Sequence, residues 1–88
     1  MKTVWKYTLG AEDYIDVDLP MGATVLSVQE QMGQPQMWVL VDESNPVYEQ
    51  RRFRLAGTGH PINDENIKFV GTFQLYGGSF IGHLFEVL

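Results

Sequence analysis

The residues best suited to chemistry gather in one run, "RRFRLAGTGHPI", from Arg51 to Ile62. Three of the chain's six basic residues, Arg51, Arg52 and Arg54, stand together at its start. A Gly57-Thr58-Gly59 turn and His60 follow. On a strand, successive side chains point to opposite faces. Arg52 and Arg54 then share one face, and Arg51 and Phe53 the other. Two guanidiniums about 7 Å apart along a strand suit a phosphate or a carboxylate, because each offers a planar fork of donors. Glycine-rich backbone in the turn can aim further N–H groups at the same anion. The candidate ligand-binding set is therefore Arg52, Arg54, Gly57, Thr58, Gly59 and His60. If it binds an anion, Arg54→Ala should abolish binding without unfolding the domain. A second account needs no ligand. Edge strands carry charge against aggregation, and arginines pair across strands with acids such as Glu43, Glu49 or Asp64. The run also lacks the GxxxxGK[ST] spacing of a phosphate-binding loop.

Other chemistry is sparse. A hydrolytic site needs a nucleophile, a base and a group that orients the base. The two histidines are His60, in the turn, and His83, which alternates with Ile81 and Phe85 in an apolar strand. The second reads as a hydrogen-bonded core histidine rather than a base. Neither His-x-His, HExxH nor a calcium-type carboxylate loop occurs, so no metal and no cofactor are expected. Asp16 and Asp18 place two carboxylates on one strand face. Opposite the apolar Ile15, Val17 and Leu19, they read as a solvated face. The chain reads as a non-enzyme.

The elements that position these residues are strands. Runs of β-branched and aromatic residues with period-two alternation recur at "TVWKYTL", "YIDVDLP", "TVLSVQEQ", "QMWVLVDE", "VYEQRRFRLAGT", "IKFVGTFQLYGG" and "SFIGHLFEVL". Each is bounded by Gly, Pro, Asn or Asp. The pattern predicts a small antiparallel all-β sandwich or barrel of six to seven strands. Phe69, Gly71, Phe73 and Leu75 should share one face. Gly71 and Gly82 inside strand patterns predict bulges or a curved corner. "DENIKF" allows one short helical turn. Trp38, between Met37 and Val39, reads as core, while Tyr48 and Tyr76 flank turns and read as exposed. The last strand, apolar on both faces, must be covered, either as a central strand or in a subunit interface.

Composition bounds the function. With 88 residues the chain fits one domain. A core of this size is marginal, so a homo-oligomer is expected. Cysteine is absent, which excludes disulfides, thiolate metal sites and a cysteine nucleophile and points to a reducing cytoplasm. The N-terminal residues lack the apolar stretch of a signal peptide, and no run is long enough to span a membrane. A net charge of −5 disfavours general nucleic-acid binding and anionic membrane surfaces.

Two blocks, "RRFRLAGTGHPI" and "GTFQLYGGSFIGHLFE", together with "KTVWKYTL" and "MGATVLSVQEQMGQPQMWVLVD", resemble a family of small, uncharacterised bacteriophage and prophage proteins. The resemblance spans nearly the whole chain, and His83 matches a histidine of the family pattern. It carries no activity and no site residue to this chain. It implies a context, expression in the cytoplasm of an infected bacterial host. In that setting a chain without catalytic groups acts stoichiometrically. The leading expectation is a non-enzymatic binder of an anionic small molecule, such as a phosphorylated or nucleotide-like signal of host anti-phage defence. Two other classes stand beside it. One is an inhibitor that docks a host defence protein through its acidic surface. The other is a structural or accessory virion protein.

Overall fold

A computed structural model describes all 88 residues. Seven strands form: β1 (Lys2–Thr8), β2 (Tyr14–Pro20), β3 (Thr24–Gln31), β4 (Gln34–Asp42), β5 (Tyr48–Gly57), β6 (Ile67–Leu75) and β7 (Phe80–Val87). They make two antiparallel sheets, ordered β1-β4-β3 and β2-β5-β7-β6. The sheets pack as a sandwich and not as a closed barrel. "DENIKF" adds no helical turn; residues 64–66 lead straight into β6. The single 3₁₀ turn is Tyr76–Gly78, between β6 and β7.

Alternation builds the core. Leu19 of β2, Met37, Val39 and Val41 of β4, Phe53 of β5 and Leu84 of β7 are essentially inaccessible to solvent. Each such side chain contributes roughly 1.5–3 kcal/mol when fully buried. The last strand lies centrally in its sheet, hydrogen-bonded to β5 on one side and β6 on the other. β5 is likewise an inner strand between β2 and β7, so its arginines do not guard an edge.

Two expectations about faces are corrected. A bulge between Phe69 and Gly71 inserts a residue and reverses the phase of β6. Phe73 and Leu75 point into the core, whereas Phe69 is 57 % exposed and packs beside Phe85 on the outer face. Trp38 is not core. It sits on the outer face of β4, opposite Lys6 and Ser27, because only the other face of that sheet is covered. Gly71 does adjoin a bulge. A Cβ there would meet Val28 Cγ1 of the facing sheet at 3.0 Å. Gly82 lies in regular pairing instead and serves as the seat of the Phe73 ring.

Strand directions sort the connections. The β1–β2 loop, the β3–β4 turn, the Gly57–His60 turn and the β6–β7 turn gather at one end, called here the loop end. Met1 and Leu88 lie at the other, where Met1 O accepts from Glu43 N and Leu88 N donates to Asn66 O. β5 and β6 both run towards the loop end, so residues 58–66 must return along the outside of the sheet before β6 begins.

Candidate functional site

The three arginines divide as alternation requires, and all three are engaged. Arg51 faces inward. Its Nε and Nη2 grip Glu86 at 2.6 and 2.8 Å, and Nη1 donates to Ala23 O at 2.6 Å. These bonds to Glu86 hold the Arg51 pKa above its ordinary value. Arg52 faces outward and makes a forked bond to its cross-strand partner Asp16, at 2.9 and 3.2 Å. The Arg52 hydrogen bonds, with its charge, hold the Asp16 carboxyl below the usual aspartate value against the opposing effect of desolvation.

Arg54 is only 8 % exposed although it points away from the core. The returning 58–66 segment covers it. Its guanidinium donates to Leu55 O, to Asp13 O at 3.4 Å and to Pro61 O at 3.0 Å. Asp13 and Asp64 supply counter-charge at 3.5 and 4.0 Å. Tyr14 completes the clamp. Its ring stacks under both Arg52 and Arg54, and its hydroxyl donates to Asp64 at 2.8 Å, which raises the phenol pKa. Arg54 thus straps a loop to a sheet.

The glycine turn goes elsewhere. His60 N bonds Gly57 O at 3.0 Å, and Gly59 at φ 87° takes the positive angle that a type II turn requires at its third residue. The turn lays the His60 ring on Gly57, and no arginine bonds it. A Cβ at Gly57 would stand 2.9 Å from His60 Cε1. Thr58 is fixed twice, by its N–H to Ile81 O at 3.2 Å and by its hydroxyl, 2.8 Å from His83 Nε2. His83 Nδ1 lies 3.0 Å from Thr72 Oγ1. His83 is hydrogen-bonded as expected, but on the outer face. Its threonine partners are 25 and 11 residues away, and neither pairing has a local spacing that marks it.

At the loop end Gly57 and His60 line two adjoining cavities. The first, about 240 Å³, has an apolar floor of Leu55, Leu75 and Phe80 and a rim of Glu12, Asp13, His60 and Tyr76. The second, about 300 Å³, lies between the Gly57–His60 turn and the Gly78–Ser79 backbone and includes Thr58. They share Gly57, His60 and Phe80. Glu12, His60 and Tyr76 form no side-chain hydrogen bond or ion pair within the chain, in contrast to the satisfied arginines. Tyr76 is 71 % exposed and sits at φ 53°, in the left-handed region that non-glycine residues avoid. Ser79 holds it there, donating from N and Oγ to Tyr76 O. Such strain concentrates at functional sites.

Of the expected site residues, the structure therefore brings Gly57, Thr58 and His60 together at the cavities, with Gly59 shaping their turn. It keeps Arg52 and Arg54 apart from them. Sequence reasoning missed Glu12 and Tyr76 as rim residues. Tyr76, an aromatic residue directly before Gly77 and Gly78, was the available clue.

No curated protein and no solved structure matches the chain. Residues 1–88 match the model of a family described as Domain of unknown function (DUF7352), and the chain belongs to that family.

Proposed function

We propose that the protein is a non-enzymatic binder that holds a small nucleotide-like molecule stoichiometrically at its loop end. One observation carries the reading. Two adjoining cavities of different character meet at Gly57, His60 and Phe80. The first offers an apolar floor and an aromatic rim for a planar ring. Concave, mostly apolar pockets with a few placed polar groups are the usual form of a ligand site. The second offers the His60 imidazole beside Gly78, a positive-φ glycine whose backbone form suits an anion. His60 stands between the two. In the phage setting that the sequence resemblance implies, such a protein sequesters a phosphorylated signal of host defence.

The arginine pair drops out of the contact set. Arg54 supports the site by anchoring the segment that follows His60. For the two rival classes, one feature of each is already engaged within the chain. Asp16 is already ion-paired with Arg52. The backbone of β7 is paired on both sides, leaving no free ladder to dock into an assembly.

The test is native mass spectrometry of protein purified from phage-infected cells, followed by denaturation and small-molecule analysis. The expected result is a retained nucleotide-like mass that the Tyr76→Ala variant loses while staying folded. An empty protein that also fails to bind any nucleoside monophosphate at millimolar concentration overturns the reading.

A further inference from the structure

Two open sheets have four edge strands, and here the edges are of two kinds. On one side of the sandwich β3 lies along β6. Both are bulged, between Val25 and Ser27 and between Phe69 and Gly71, and Gly71 sits against Val28. Bulges and mutual cover blunt an edge. On the other side β1 and β2 pair without a bulge in their own sheets, and no comparable contact joins them to each other. The backbone groups left open on them can be assigned. Glu43 N donates to Met1 O and Leu9 N to Pro35 O, so the odd residues of β1 turn to β4. Lys2, Val4, Lys6 and Thr8 then aim their N–H and C=O groups away from the sheet. In β2, Met21 N donates to Val47 O and Leu55 N to Asp13 O, which leaves Tyr14, Asp16 and Asp18 aimed outward. Behind these edges Trp5, Tyr7, Ile15 and Val17 are only partly buried.

The two open edges are opposite in charge. β1 exposes Lys2 and Lys6, and β2 exposes Asp16 and Asp18. Pairing β2 with its own copy sets aspartate against aspartate in each register centred on residues 16 to 18, which is repulsive. Pairing β1 with its own copy leaves β2 open. We infer that a second copy of this chain docks on this side, its β2 against β1 and its β1 against β2, across a two-fold axis. β1 and β2 run in opposite directions, so both new ladders are antiparallel. The charges choose the register. Lys6 donates to Gln31 at 2.7 Å and Asp16 is held by Arg52, while Lys2 and Asp18 form no side-chain hydrogen bond or ion pair within the chain. Setting Lys2 opposite the partner's Asp18 also sets Val4 opposite the partner's Asp16, so outward backbone groups meet outward backbone groups. It places Trp5 beside the partner's Ile15 and Thr3 beside the partner's Val17, covering side chains that one copy leaves half-buried. Each contact occurs twice in such an isologous pair, and the assembly closes without a free edge.

This association is independent of any ligand at the loop end. The experiment is sedimentation velocity of the full chain from micromolar to millimolar concentration, with amide exchange followed by NMR at both limits. The native chain should sediment as a dimer at the upper limit, and the Val4 and Asp16 amides should become protected there. Lys2→Glu and Asp18→Lys test the register. Both residues are exposed, so the variants keep the fold, and a circular dichroism melt checks this. Each change opposes like charges at a pair that occurs twice, and each should weaken the dimer by on the order of tenfold. Asp18→Lys also brings the net charge nearer zero, which by itself favours association, so weakening there reads the pairing and not the overall charge. The double variant Lys2→Glu/Asp18→Lys reverses the pair and should recover the native affinity. A chain that stays monomeric at millimolar concentration overturns the inference. So does protection confined to β1 or lying outside β1 and β2, and so does a double variant no tighter than the singles.

Discussion

The inward ion pair between Arg51 and Glu86 should be costly to break and cheap to replace. The side chains are 17 % and 10 % exposed, and two short bonds join them. Taking Glu86 to Leu leaves a guanidinium facing the core with only Ala23 O and the distant Glu49, 4.0 Å away. Removing one partner of a buried pair costs roughly 3–5 kcal/mol. The residual exposure of Arg51 favours the lower figure, so Glu86→Leu and Arg51→Met should each cost about 3 kcal/mol. In a domain of this length that lowers Tm by roughly 12–24 °C. Total stability of about 4–13 kcal/mol leaves a measurable folded baseline in most of that range. The double variant Arg51→Met/Glu86→Leu replaces both charges with apolar volume and should return to within about 1 kcal/mol of the native chain. Urea denaturation of the four proteins at one pH closes the cycle and isolates the coupling. A cost below about 1 kcal/mol for Glu86→Leu refutes the reasoning. So does a double variant whose loss equals the sum of the singles.

Four further outcomes follow from other contacts. Gly82→Ala puts a Cβ 2.5 Å from Phe73 Cζ and should cost about 2 kcal/mol by denaturant melt, partly recovered in a Phe73→Leu background. Tyr76→Gly relieves a left-handed residue and should leave stability unchanged or raise it by about 1 kcal/mol while weakening ligand binding; a loss of stability would make the ring a structural element. Arg54→Ala should free residues 58–66, seen as faster amide exchange there, and cost about 2–3 kcal/mol from the lost charge-assisted bonds. Asp16 should titrate below its ordinary 3.8 by carbon-detected NMR and move back up in Arg52→Gln. Because its folded value is depressed, the pair's contribution to stability is present above 3.8 and disappears as pH falls through the folded value.

The strands were legible because each has its own alternation and its own turn residues. Ile15, Val17 and Leu19 against Asp16 and Asp18 place β2 with no outside help. Faces were legible only where the alternation ran unbroken. At Gly71 the glycine announced an irregularity, but the phase change beyond it, which throws Phe69 outward, depends on how β6 meets β7. Trp38 misled because a strand apolar on both sides can be central in a sheet with one bare face. In the site, the division of Arg51 from Arg52 and Arg54 followed from parity. Their partners did not, since Asp16 and Glu86 come from 36 and 35 residues away. The cavities were illegible for the same reason. Glu12, His60 and Tyr76 sit on three different connections, and only the packing of the two sheets brings them to one rim.

The position of β7 also bears on how the chain folds. β5 and β6 run in the same direction and have no contact ladder of their own; the strand that separates them follows both in the chain. β2 can pair with β5, and β1 and β3 with β4, before β7 docks. Until Phe80–Val87 slides between them, one edge of β5 and the whole of β6 are open ladders. In that interval Phe73 and Leu75 have no strand to hold them against the core, and the half-formed sheet is the state from which the chain would aggregate.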